Sequence, residues 1–163
     1  MEDDDNAAWK KRKLGRQIDE ITVGEKLTLT EKIEDKDLLL YLGLTNDSNP
    51  LYIQHDYASL TPYEKPIVPS IMLTGIITSA ISKYMPGPGS HILSQNLDFV
   101  RAVYHYSMIQ FLFEVTQVNA SENTVLLKVH AHNDKDETVI QGTITVAPPA
   151  AIASMDGSAL ENF

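Results

Sequence analysis

The chain has 163 residues, a formal net charge of −9 and no cysteine. That length accommodates one domain with a substantial core, and the acidic balance argues against a nucleic-acid partner, whose phosphates need a basic footprint. Without cysteine there is no disulfide, thiolate metal site or Cys nucleophile, whereas an anionic cofactor stays open because a few local Lys or Arg residues suffice to bind one.

Residues 1–20 read as a flexible N-terminal lead. Its start, "MEDDDN", is acidic and has no apolar h-region, so a signal peptide is not expected. No apolar run approaches the roughly 20 residues of a membrane span, and a reducing, cytoplasmic setting is expected. "WKKRK" at 9–13 reads as a solvated basic segment beside an acidic tail, with an anion or a membrane surface as the alternative. "LTLTEKI" at 27–33 alternates apolar and polar residues and predicts an early strand. "EDKDLLLYLGLT" at 34–45 puts acidic residues ahead of an apolar cluster and predicts a short helix.

The clearest helix is "PSIMLTGIITSAISKYM", 69–85, with apolar residues at 72, 73, 76, 77, 80, 81 and 84. Pro69 stands at its mouth, where a missing N–H costs nothing, and "PGPG" at 86–89 forbids continuation. The stripe is broad enough to predict a mostly buried helix. A short strand is expected over 91–100, then three long β-type runs at 108–118, 124–133 and 138–147, joined by "NASEN" and "DKDE". Residues 148–163 are small and turn-prone and read as a flexible tail. The order predicts an α+β domain over 21–147, an antiparallel sheet wrapped around one long buried helix.

That order, together with "LTNDSNPLYIQH" at 44–55, resembles the hot-dog fold, and within it the MaoC-like (R)-specific enoyl-CoA hydratase and dehydratase family. The family's signature runs Ser/Thr-Gly-Asp-x-Asn-Pro-x-His, against Thr45, Asn46, Asp47, Ser48, Asn49, Pro50, Leu51 and Tyr52 here. Pro66, Ile67, Met72, the "PGPG" turn, Phe99 and Val103 match later motifs in the same order, so the resemblance covers roughly 25–147. The departures concentrate at one place. The signature's Gly is Asn46, its His is Tyr52, the His-Gly pair before the helix is Pro69–Ser70, and a later Pro is Ala102.

The resemblance implies addition or removal of water across the 2,3 bond of an acyl thioester. This needs a base for water, an acid for the α-carbon and donors for the thioester oxygen. It places Asp47 and Tyr52 at the acid–base positions, Asn49 as a support for the loop, and Ser70 where a backbone N–H meets the thioester carbonyl at the helix's positive end. Each has a plainer reading. Asp47 can make an Asx turn, Tyr52 can fill the space of an imidazole, and Ser70 can be an N-cap. A phenol with a reference pKa near 10 is also a poor base at neutral pH. His55 could swing towards the site from a following short helix. His91 and His105 fall near strand ends, where exposed histidines are common. His130 and His132 share a strand face, which permits a metal ion but lacks a third ligand, so no metal is expected.

Lys65 and Arg101 are candidate partners for coenzyme A phosphates, with simple solvation as the alternative. No tightly bound cofactor is expected, since the substrate itself carries coenzyme A or an acyl-carrier-protein phosphopantetheine. The family also implies a homodimer with sheets joined edge to edge. Three functions follow: a hydratase or dehydratase with an altered dyad, a non-catalytic acyl-thioester binding protein, or an acyl-CoA thioesterase.

Overall fold

A computed structural model describes residues 14–150; the remainder of the expected lead and tail lies outside the described residues. A 3-10 turn (Ile18–Glu20) precedes strand β1 (Lys26–Lys32). Helices α1 (Asp35–Thr45), α2 (Pro50–Ile53), α3 (His55–Ala58) and α4 (Ser70–Tyr84) follow. Strands β2 (His91–Phe99), β3 (Met108–Asn119), β4 (Thr124–His132) and β5 (Thr138–Ala147) complete the chain. Each long element falls within two residues of its predicted span, because each carries an unbroken period of 3.6 or 2 bounded by turn residues.

The strands form one antiparallel sheet in the order β1-β3-β4-β5-β2. Along β3, Ile109, Phe111, Phe113 and Val115 are buried, while Gln110, Leu112 and Glu114 between them are only partly so. Val125, Leu127, Val129 and Ala131 continue the buried face on β4, as do Ile140, Ile144 and Val146 on β5. These side chains make one hydrophobic cluster with Leu73, Ile77, Ala80 and Ile81 of α4. Those four recur at helical spacing, so one face of α4 enters the concave side of the sheet. Removing each large aliphatic side chain from water contributes roughly 1.5–3 kcal/mol. The sheet of one chain reaches only that face. Ile71 is 55% exposed, and Tyr84 also stays in solvent.

α4 stops at Met85, and the following turn packs on the N-terminal segment. The Gly15 N–H donates to Pro88 O at 2.7 Å and the Arg16 N–H to Pro86 O at 2.9 Å. A Cβ on Gly15 would stand 2.5 Å from Pro86 O, so only glycine permits this approach. Hydrogen bonding of the domain therefore reaches back to residue 15, within the expected 1–20 lead. At the other side, β2 is an edge strand with no fully buried residue, and Leu93 on it is 50% exposed. β2 lies so tightly on β5 that a Cβ on Gly142 would collide with the Asn96 carbonyl oxygen.

Gly142→Ala should therefore cost about 1–3 kcal/mol, the usual range for overpacking. The measurement is the urea midpoint, with Gly43→Ala as control, since nothing lies within 4 Å of a Cβ at Gly43.

Candidate active site

The signature loop is built by local hydrogen bonds. α1 ends at Asn46, whose φ of 55° and ψ of 25° are left-handed. Asparagine tolerates this conformation better than other non-glycine residues, so Asn46 in place of the signature's Gly leaves the loop's path intact. The turn then aims Asp47 back at α1. Its Oδ1 accepts from the Asn49 N–H at 3.1 Å, an Asx turn, and its Oδ2 accepts from the Tyr41 hydroxyl at 2.6 Å. Asn49 in turn caps α2, its Oδ1 accepting from the Leu51 N–H at 3.0 Å, and Pro50 occupies the first helical position. Asn49 is thus a loop support. The Asx-turn reading of Asp47 describes its backbone contact, but the Tyr41 bond is an addition that the sequence did not foretell.

Tyr41 is held in its protonated form. Its hydroxyl ionises less readily than the ordinary phenol, first because it donates to Asp47 and then because burial disfavours the anion. The Asp47 charge and, last, the charge that Tyr52 would carry push in the same direction.

Tyr52 and Ser70 line one pocket of about 170 Å³, together with Ile67, Leu73, Phe99 and Arg101. The segment before α4 is pinned there by the Val68 N–H donating to Val103 O at 2.7 Å. Ser70 is not the N-cap of α4. Pro69 holds that position and no side chain caps this end, so Ser70 is the first helical residue. Its N–H belongs to the first turn, which has no intrahelical acceptor. Asp47 does not line this pocket.

Lys65 and Arg101 come together in an adjoining open pocket of about 580 Å³. Tyr63, Phe99, Arg101, Ala102 and Val103 line both cavities, which places the basic pocket next to the pocket of Tyr52 and Ser70. Neither cation is simply solvated. Lys65 Nζ lies 4.8 Å above the Tyr104 ring, and Arg101 Nε lies 3.1 Å from Glu137 Oε2. An exposed ion pair such as Arg101–Glu137 contributes at most about 1 kcal/mol.

Of the five histidines, one departs from its expected placing. His91 is exposed at the start of β2, and His55 is exposed at the start of α3. His130 Nε2 is 3.0 Å from Thr138 Oγ1, and His132 Nε2 is 3.7 Å from Asp136 Oδ1. Among the described residues no group of three or more His, Cys, Asp or Glu is placed to hold a metal ion. His105 overturns its expected exposure. Both ring nitrogens are buried and have no hydrogen-bond partner among the described residues, because Tyr104 bridges to Ile67 and turns the next side chain inward. Burial lowers its pKa, opposed by the nearby Asp35 carboxylate and by the Ile67 backbone, while His55 adds to the lowering.

Residues 16–146 match the family described as MaoC like domain. The chain is 27% identical over 133 residues to an (R)-specific enoyl-CoA hydratase of Rhodospirillum rubrum, covering 82% of this chain and 92% of that protein. It is 25% identical over 132 residues to a 3-hydroxybutyryl-CoA dehydratase of Methylorubrum extorquens, covering 81% and 83%. Among solved structures, the unliganded R-hydratase PhaJ1 of Pseudomonas aeruginosa superposes with a TM-score of 0.76 at 26% identity, covering 87% of this chain and 94% of that one. The sheet wrapped on α4 is therefore a hot-dog fold, and the chain belongs to the MaoC-like family of hydratases and dehydratases. No described helix is long and apolar enough to cross a membrane.

Because His105 is held neutral, stability should fall as the pH drops below its ordinary value of 6.5 and the unfolded chain takes up the proton that the folded chain resists. Thermal melts of wild type and His105→Leu between pH 5 and 8 test this: the variant should lose part of the acid-side slope.

Proposed function

We propose that the protein is an enoyl-thioester hydratase or 3-hydroxyacyl-thioester dehydratase with an altered acid–base pair. The observation that carries this reading is the shared wall of two pockets, one lined by Tyr52 and Ser70 and the other by Lys65 and Arg101. A thioester in the smaller pocket would leave its phosphates beside the two cations, from coenzyme A or from a carrier-protein phosphopantetheine. The Ser70 N–H and the positive end of α4 would then hold the thioester oxygen as enolate charge develops.

In the hydration direction, Asp47 accepts a proton from water as the water oxygen bonds to C3. The π pair of the 2,3 bond shifts between C1 and C2 as the carbonyl pair moves onto the thioester oxygen, and C2 of this enolate then takes a proton. Tyr52 suits the second step better than the first, since a phenol is a poor base at neutral pH but a competent donor to an enolate. Asp47 is only partly buried and does not line the smaller pocket, so its water comes from outside that pocket. That same feature favours a second reading, an acyl-thioester binding protein without turnover.

Two observables separate these. Incubation with a short enoyl-CoA should consume the conjugated double bond, and Asp47→Asn should lower that rate by about 100-fold or more, the scale of a lost acid–base group. Tyr52→His should raise the rate. Ligand-induced thermal stabilisation without loss of the double bond would select the binding protein, and release of free thiol would select a thioesterase.

A homodimer in the cytoplasm completes the proposal. β2 leaves one long edge of the sheet unpaired, with Leu93 and Phe99 exposed on or beside it. An unprotected edge is a template for another strand, and a second copy of β2 would satisfy it. Light scattering should give twice the monomer mass, and Leu93→Lys should shift it towards the monomer.

A further inference from the structure

We infer that Tyr41 is a positioning residue for Asp47, the partner through which this chain holds a working carboxylate without the signature histidine. The inference rests on the hydratase reading above and adds to it a residue from α1, outside the signature. Tyr41 brackets Asp47 from two sides. Its hydroxyl donates to Oδ2 at 2.6 Å, within the short range of a hydrogen bond to an ionised oxygen. Its backbone carbonyl accepts from Thr45 Oγ1 at 2.8 Å, and the same Thr45 oxygen accepts from the Asp47 N–H at 3.2 Å. The Asn49 N–H holds Oδ1. The carboxylate is therefore fixed in plane and in rotation, each oxygen bonded once.

Two consequences bear on chemistry. A carboxylate oxygen offers two lone-pair positions, so one stays open on each oxygen for water or a substrate hydroxyl. The Tyr41 phenol is held protonated by this same bond, so it remains a donor through neutral pH. The Tyr41 hydroxyl uses its one proton in the bond to Asp47 Oδ2, so its part in the chemistry runs through that carboxylate. A group displaced by about 1 Å can cost a rate of order 100-fold. Removing one of two side-chain anchors permits such a displacement.

The test is Tyr41→Phe, which keeps the ring and deletes only the donor. With a short enoyl-CoA, kcat should fall by about 10- to 100-fold while KM stays within about twofold, since the bond orients a reacting group and does not bind the thioester. A second readout is independent of turnover. Wild type should bind 3-hydroxybutyryl-CoA more tightly than butyryl-CoA, because only the former has a hydroxyl for Asp47, and Tyr41→Phe should lose that preference. Circular dichroism and the melting temperature establish that the variant is folded. An unchanged kcat, or a retained preference in a folded variant, overturns the role of Tyr41 and leaves the hydratase reading standing. Wild type that turns over no enoyl-CoA but prefers the hydroxy ligand, with the preference lost in the variant, supports Tyr41 and replaces the enzyme with a binding protein. Wild type that binds neither ligand overturns both.

Discussion

Burial of one stripe of α4 in the sheet is the contact on which the other placements depend. Leu73, Ile77, Ala80 and Ile81 share the core with the inner faces of β3, β4 and β5. Fixing that stripe fixes both ends of the helix. Its N-terminus brings Ser70 to the segment 99–103, which the Val68–Val103 hydrogen bond holds in place. Its C-terminus brings the Pro-Gly turn onto Gly15, where the missing side chain allows the backbones to meet. A shift of α4 by one residue would rotate its apolar stripe by about 100° out of the sheet and remove Ser70 from the pocket.

The loop of the candidate site is held by short-range bonds of its own. Asn46 preserves the left-handed turn, and Asn49 and Pro50 preserve the start of α2. Tyr52, which aligns with the signature's histidine, lines the pocket of Ser70. Asp47 then depends on α1 and on its own Asx turn for orientation.

Two features run against ordinary folding economy and both lie around this loop. His105 buries two ring nitrogens without partners, which costs stability unless a group outside the chain satisfies them. α1 buries none of its residues completely and leaves Leu39, Leu40 and Leu44 in solvent. Departures from local rules gather at sites whose geometry serves something other than stability. In the core, by contrast, buried residues alternate regularly along β3 and β4.

The period of apolar residues by itself determined the long helix, the four longest strands and the turns between them, because helix and strand each impose a repeat that only neighbouring residues have to satisfy. The same holds for Asn49, whose cap on α2 is a local bond between adjacent residues. Tertiary structure decided the rest. That Tyr41 would meet Asp47 depends on how the chain turns at Asn46, and no spacing rule spans a helix end and a left-handed turn. That His105 would point inward depends on the bridge between Tyr104 and Ile67, which are 37 positions apart. That Tyr52, Ser70 and Arg101 would share a cavity depends on α4 docking in the sheet. The Tyr41–Asp47 bond spans six residues and a turn, whereas the other contacts join residues distant in sequence, and their geometry is set by the packing of elements.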